Sequence, residues 1–465
     1  MSMYGMPDLF ISTSSRDAKT VQWLNSLFLS AVRKGASDIH FEDMEQDTRV
    51  RFRINGTLTT IESVPRMLSI DAMNKIRART DLPLSDLRRP LDGRFSLDYK
   101  NDGVCIDVRA SFTPIIHGTS LVCRVLDQRN TLRTIDEIEM TDEVRKWVSI
   151  LLHEPHGLFL VSGPTGSGKT STLYAILNAL RDETRKISTI EDPVEYRVPG
   201  LCQTNIEGNL TFADVLRAEL RQDPDVILVG EIRDAETAQI ALQASMTGHL
   251  VLSTLHANDA AASVGRMLDL GADPSTLGAA LRGVLAQRLV RRLAERHDMA
   301  PPTEAEIFWL QNHDIEVSTD NVFGVPVENE GEDGYDGRVP VMELIVIDRT
   351  VRNVLPLKDP KAIRTVARRQ PQYQTLAASA ADLARRGLTS VTEAYTVSSI
   401  SEHLRSFRTL PERLIELGKL SPYQYDVCKQ IQLEASRMGR RMTLEDVLVS
   451  QRYVSQSDID EVTDL

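Results

Sequence analysis

The run Gly163-Pro164-Thr165-Gly166-Ser167-Gly168-Lys169-Thr170 constrains the architecture more than any other part of the chain, because it is a complete glycine-rich phosphate-binding loop. Such a loop needs a buried strand before it and a helix start after it, and both flanks comply. Leu158, Phe159, Leu160 and Val161 form a short apolar run that predicts a buried strand, and Ser171 to Leu180 predicts the helix. In that setting the loop N–H groups and the positive end of the helix face phosphates. Lys169 reaches the β- and γ-phosphates, the Thr170 hydroxyl is placed for Mg²⁺, and Ser171 completes the nucleotide-contacting set. The expected ligand is a nucleotide with Mg²⁺.

A chain of 465 residues predicts about three domains, and 42% apolar residues suffice for several cores. No run approaches the ~18 apolar residues needed to cross a bilayer, and Met1 to Ser15 lacks the charged start and apolar core of a leader. The expected location is the cytoplasm, with any membrane contact made through partners. Cys105, Cys123, Cys202 and Cys428 are scattered, which suits a reducing compartment and gives no metal-site spacing. A net charge of −12 lacks the basic field of a non-specific nucleic-acid binder, so no nucleic-acid partner is expected.

Asp17 to Lys34 places Val21, Leu24, Leu27, Phe28, Ala31 and Val32 on one helical face, with Gly35 as a stop. Short alternating runs follow at Arg49 to Ile54 and Val104 to Val108, with Asn55-Gly56 and Asp92-Gly93 as turn signals. Residues 18–130 thus read as a small α+β domain after a 1–17 tail, and 131–142 as a linker. From 143 to about 300 the pattern becomes alternating strands (Leu158–Ser162, Lys186–Ile190, Val226–Gly230, Leu250–Thr254) and helices, which implies a parallel α/β sheet. Gln287 to Arg296 opens a region that reads as helical and charged through 301–400, with an exposed acidic turn at Asn329 to Gly334. In 401–465 a weak repeat aligns Leu410, Leu414, Gly418 and Ser421 with Leu444, Leu448, Arg452 and Ser455 at an offset of 34 residues, predicting a small helical pair.

Hydrolysis needs an oriented water and neutralisation of charge growing on the γ-phosphate. Glu231 follows an apolar strand, so its carboxylate emerges at the carboxyl edge of the sheet, where open α/β folds bind ligands. It either orients water or helps hold Mg²⁺, as against a structural pairing with Arg233. Glu191, Asp192 and Glu195 leave another strand and offer carboxylates near Mg²⁺ or the attacking water, as against a solvated strand exit. His249 and His256 bracket Leu250–Thr254 and are either hydrogen-bonded structural residues or sensors of the γ-phosphate.

The order of these motifs resembles the type II secretion and type IV pilus assembly ATPases. Gly163 to Tyr174 is similar to that family's Walker A motif, Ser188 to Ile206 to its Asp box, Ile227 to Ala238 to its Walker B motif and Thr247 to Asp259 to its His box. Upstream, Ala36 to Glu42, Arg51 to Gly56 and Arg88 to Arg94 resemble the PAS-like domain that precedes the motor. The likeness spans about residues 18 to 398. It implies an α/β fold class: a RecA-like P-loop ATPase domain preceded by a small α+β PAS-like domain and followed by a helical C-terminal region. It also implies a homo-hexamer beneath an inner-membrane platform protein, with an associated cytoplasmic adaptor. Within it Glu231 is the catalytic glutamate, Glu191, Asp192 and Glu195 belong to the Asp box, and His249 and His256 to the His box. Arg94, Arg109 and Arg124 match the upstream arginines that act on the nucleotide, as against surface pairing with acids.

The chain departs from the family pattern in three ways. The two CxxC pairs that bind zinc in many members are missing between Gln287–Leu293 and Gly334–Arg338, where Ala294 to His297 and Asn329 to Asp333 stand, so no zinc site is expected. Only about 35 residues precede the PAS-like domain, so the usual N-terminal docking module is expected to be absent. The 401–465 repeat resembles that module, which in some relatives binds cyclic di-GMP through an Arg-Leu-Gly element. The matching places read Thr409-Leu410-Pro411 and Thr443-Leu444-Glu445, which favours partner docking over nucleotide binding. Two alternatives to pilus or pseudopilus assembly stay open: the retraction motor of the same superfamily, and a non-hydrolysing nucleotide-binding regulatory subunit.

Overall fold

The computed structural model describes residues 10, 18–84, 88–99, 104–127, 133–313, 315–317, 321–327 and 334–397, and parts of 414–459. The 1–17 tail, the acidic turn up to Asp333, Leu410, Gly418 and Thr409-Leu410-Pro411 lie outside these residues, Phe10 apart.

The N-terminal unit is one antiparallel sheet under two helices, α1 (Ala18–Arg33) and α2 (Arg66–Arg79). Its strands are β1 (Ala36–Asp43), β2 (Asp47–Ile54), β3 (Thr57–Pro65), β4 (Leu91–Tyr99), β5 (Val104–Ile115) and β6 (Gly118–Asp127), in the order β3-β2-β1-β6-β5-β4. α1 forms because Leu24, Leu27, Phe28 and Ala31 recur at helical spacing and bury against the sheet face that carries Ile39, Phe52, Leu97 and Ile106. Phe28 meets Phe10 and Phe95 with ring centroids 5.9 Å apart in each pair, and burying such a ring contributes about 2–3 kcal/mol. Asp92-Gly93 is not a turn but part of β4. A Cβ on Gly93 would lie 2.5 Å from the Cβ of Thr80 at the end of α2, so glycine serves close helix-on-strand approach there.

The second, α/β unit has a seven-stranded sheet in the order β15-β12-β7-β11-β10-β8-β9. The strands are β7 (Gly157–Ser162), β8 (Ile187–Glu191), β9 (Cys202–Asn205), β10 (Val226–Val229), β11 (Leu250–Leu255), β12 (Leu281–Leu293) and, past the short hairpin β13 (Asp298–Ala300) and β14 (Phe323–Val325), β15 (Tyr335–Val346). All neighbours are parallel except β12 and β15. β7, β8, β10 and β11 are buried along their whole length, as parallel strands covered on both faces must be. One face carries α3 (Asp142–Leu152) and α4 (Lys169–Leu180). The other carries α5 (Phe212–Glu219), α6 (Ala235–Met246), α7 (Ala260–Asp269), α8 (Pro274–Ala280) and, later in the chain, α10 (Arg349–Val354) and α11 (Pro360–Ala367).

Gln287 to Leu293, read as helical, is the second half of β12, and 335–346 returns to the sheet as β15. Pairing with β15 overrides the helix propensity of its Leu, Arg and Gln residues. Further helices of 301–400, α9 (Glu304–Gln311), α12 (Leu376–Arg385) and α13 (Val391–Tyr395), bury Trp309, Leu310 and Leu383 against Val339 and Val341. Beyond residue 400, Leu414, Leu420, Val454 and Ile459 share a small core with Leu448 of α14 (Leu444–Ser450), and Lys419 pairs with Asp458 at 2.8 Å. No helix among the described residues is long and apolar enough to cross a membrane.

Candidate active site

Because β7, β8, β10 and β11 run parallel, their carboxyl ends open on one edge and bring Gly163–Gly168, Glu191–Glu195, Gly230–Arg233 and His256 together there. The phosphate loop closes onto α4, with Gly163, Gly166 and Gly168 at φ values of 146°, 79° and 86°. Lys169 Nζ donates to the carbonyls of Gly163 (2.8 Å) and Pro164 (3.0 Å), folded back over the loop. Burial lowers the Lys169 pKa, and the Glu231 carboxylate opposes the shift.

A cavity of about 100 Å³ beside the loop is lined by Thr170, Glu191, Asp192, Glu195, Glu231 and Arg233, among others. Glu231 is largely buried. It accepts from Arg233 Nε at 2.8 Å and lies 3.4 Å from His256 Nε2. The pairing with Arg233 is real, yet it leaves the carboxylate in the cavity wall, with the His256 imidazole near its other oxygen. Glu191 sits differently: Tyr174 Oη donates to one oxygen and Thr189 Oγ1 to the other, both at 2.7 Å. Burial raises its pKa, and the two hydroxyl bonds pull the other way. With both oxygens engaged, Glu191 is a fixed wall of the pocket. Asp192 is half exposed, 4.0 Å from Arg233.

His249 does not join this group. It precedes β11, so it lies at the amino edge of the sheet, a full strand away from the phosphate loop that follows β7. Its Nδ1 lies 3.0 Å from the Ala244 carbonyl, and its own carbonyl accepts from Gly157. Of the two histidines, the fold brings only His256 to the site.

Arg94, Arg109 and Arg124 form a row across β4, β5 and β6, each opposite the next in register. They line a cavity of about 660 Å³ whose far wall is Asp192, Pro193, Asn205 and Glu207 of the α/β unit. Arg109 Nη1 pairs with Glu195 at 3.1 Å, while its Nη2 is buried without a hydrogen-bond partner. Arg124 is tied to Asp38 at 3.2 Å. Burial, with Arg109 alongside, lowers the Arg94 pKa. A third cleft of about 630 Å³ runs from Gly168, Ser171 and Thr172 past Arg133 and Ile138 to Gly35 and Asn55 of the N-terminal unit.

Tyr174 and Gln287 escaped the sequence reading. Tyr174 stands four residues after Thr170, on the same face of α4; a tyrosine one turn beyond the loop was the available signal. Gln287, an amide within the apolar run of β12, was another.

The phosphate-binding loop, the carboxylates beside it and the arginine row facing them place the chain in the class of ATPases. The chain belongs to the family of type II/IV secretion system proteins, whose family model matches residues 13–396. It is 39% identical over 389 residues to type II secretion system protein E of Klebsiella pneumoniae, covering 83% of this chain and 77% of that one. It is 41% identical over 348 residues to type II secretion system ATPase E of Vibrio cholerae, covering 74% and 68%. Among solved structures, the pilus retraction motor PilT with bound ADP superposes with a TM-score of 0.56 at 25% identity, covering 82% of this chain and 98% of that one. The Legionella pneumophila ATPase DotB superposes at 0.60 and 21% identity, covering 81% and 95%, which speaks to the fold alone.

Proposed function

We propose that this ATPase works as a cytoplasmic homo-hexamer whose ATP hydrolysis drives assembly of a type II secretion pseudopilus or a type IV pilus, through an inner-membrane platform protein and its cytoplasmic adaptor. The observation that carries the reading is the convergence of Thr170, Asp192 and Glu231 on one small cavity beside Lys169. The relatives named type II secretion system protein E support the assembly task.

In this reading, Gly163 to Ser171 cradle the phosphates and Lys169 turns from the Gly163 and Pro164 carbonyls to the β- and γ-phosphates. A hydroxyl with carboxylates nearby is a hard oxygen donor set that suits Mg²⁺, which Thr170 would hold with help from Asp192; the ion would neutralise phosphate charge. Glu231 orients the attacking water, steadied by Arg233 and His256, and His256 reports the state of the γ-phosphate. Glu191 keeps Tyr174 in place, and Asp192 and Glu195 line the mouth that faces the arginines. Base and ribose occupy the cleft between Ser171 and the N-terminal unit. Arg94, Arg109 and Arg124 counter the charge of the transition state, a contribution that reaches several orders of magnitude in phosphoryl transfer.

Retraction is the second reading, favoured by the likeness to PilT over nearly all of that chain. Deleting the gene separates the two. Loss of fibres or of secreted protein supports assembly, whereas accumulation of fibres that fail to retract supports retraction.

A further inference from the structure

Gln287 has no part in the chemistry above, yet it is only 2% exposed and both ends of its amide are engaged. Nε2 donates to the Ser167 carbonyl at 2.8 Å, and Oε1 accepts from Thr172 Oγ1 at 2.8 Å. One side chain on β12 thus grips the phosphate loop just before its last glycine and the first turn of α4 just after it. The loop also rests on Gln287 at both ends. A Cβ at Gly163 would fall 2.2 Å from the Gln287 carbonyl oxygen, and one at Gly168 would fall 2.7 Å from Nε2. Glycine at these two positions therefore serves the approach to β12 as well as the approach to phosphate.

From this geometry we infer that Gln287 is a positioning residue for phosphate binding. A peptide plane is rigid, with its N–H pointing opposite to its C=O. Holding the Ser167 carbonyl toward Gln287 aims the Gly168 N–H the other way, into the cradle where a phosphate oxygen accepts it. Without that hold the peptide is free to turn, and the cradle loses a preorganised donor. The Thr172 arm braces α4 and does not itself orient a cradle N–H. The inference rests on the reading that the loop binds the nucleotide phosphates.

The test compares ADP and AMP binding by the full-length chain. Gln287→Met keeps the length of the side chain and removes both arms; Gln287→Glu keeps an acceptor for Thr172 but cannot donate to the Ser167 carbonyl at neutral pH. Both variants are expected to weaken ADP by about 10-fold and AMP by less than about twofold, since the loop grips the diphosphate more than the α-phosphate alone. Thr172→Val, which keeps the hold on the Ser167 carbonyl, is expected to leave the ratio of ADP to AMP affinity within about twofold of wild type. A merely structural role would lower ADP and AMP affinity by the same factor in the Gln287 variants, and that result, or unchanged ADP binding, would overturn the assignment. Should Gln287→Met fail to fold, Gln287→Glu decides alone. Lys169→Ala separates the two levels: if it binds ADP like wild type, the functional reading fails; if it loses ADP while the Gln287 variants keep the wild-type ADP-to-AMP ratio, only the inference fails.

Discussion

Glu231 and Glu191 leave adjacent strands at one sheet edge, yet their surroundings assign them different work. Glu231 has a guanidinium and an imidazole beside it and lines the cavity next to the phosphate loop. Glu191 is buried under two hydroxyl donors and is spent on holding Tyr174. A third acid, Glu343 on β15, is buried deeper still. It accepts from the Ala260 N–H at the start of α7 and the Leu376 N–H at the start of α12. Burial, together with the nearby Asp259 charge, pushes its pKa from the ordinary 4.5 up to about 8. The folded chain then keeps a proton that the unfolded chain releases above pH 4.5, so this group's contribution to stability is full below pH 4.5 and is lost as pH rises to about 8. Urea denaturation of wild type across pH 5 to 8.5 should show that decline. Glu343→Gln should flatten it, while lowering stability at pH 5 by about 1 kcal/mol because an amide nitrogen accepts no helix N–H. An equal slope in both proteins would contradict the assignment.

At the scale of elements, the strands of the α/β core were legible because strands buried on both faces read as continuous apolar runs, and Leu158–Ser162, Val226–Gly230 and Leu250–Thr254 all did. The loop residues were legible through spacing, since each motif follows its own strand. β12 was not, because only its first half lies against β7. The second half runs on beside β15 with Arg288, Arg291 and Arg292 among its apolar residues, a pattern that imitates a charged helix. What holds that half is local and specific. Arg291 donates to Glu393 through Nε (2.9 Å) and Nη2 (2.7 Å) and stacks 4.1 Å from the Tyr335 ring centre. Glu393 is only 13% exposed, so Arg291→Ala leaves a nearly buried carboxylate without its partner. The expected loss is about 2–4 kcal/mol in denaturant unfolding, with Arg291→Lys recovering only part of it. A loss below about 0.5 kcal/mol would show the pair to be idle.

At the scale of the whole molecule, the arginine row and the carboxylates face each other only where the N-terminal and α/β units meet, which no single motif announces. Arg94, Arg109 and Arg124 were picked out by resemblance, but their alignment across three strands and the bridge from Arg109 to Glu195 emerge only once the two units are set side by side. His249 shows the converse error: a histidine beside the right strand lies at the wrong end of it, and sequence distance alone does not distinguish the two edges of a sheet. Arg109→Ala should keep ADP affinity within about twofold and reduce turnover by on the order of 10-fold or more, because the charge it supplies matters most in the transition state; equal losses in affinity and turnover would place it in ground-state binding instead.

Glu231, at the carboxyl edge beside the phosphate loop, is the residue proposed to turn nucleotide binding into ATP hydrolysis. The most direct measurement is steady-state phosphate release by the purified full-length chain with Mg²⁺-ATP, for wild type and Glu231→Gln. The account predicts that the variant binds ADP within about twofold of wild type while its turnover falls by at least about 10²-fold. Equal phosphate release by the two proteins would contradict it.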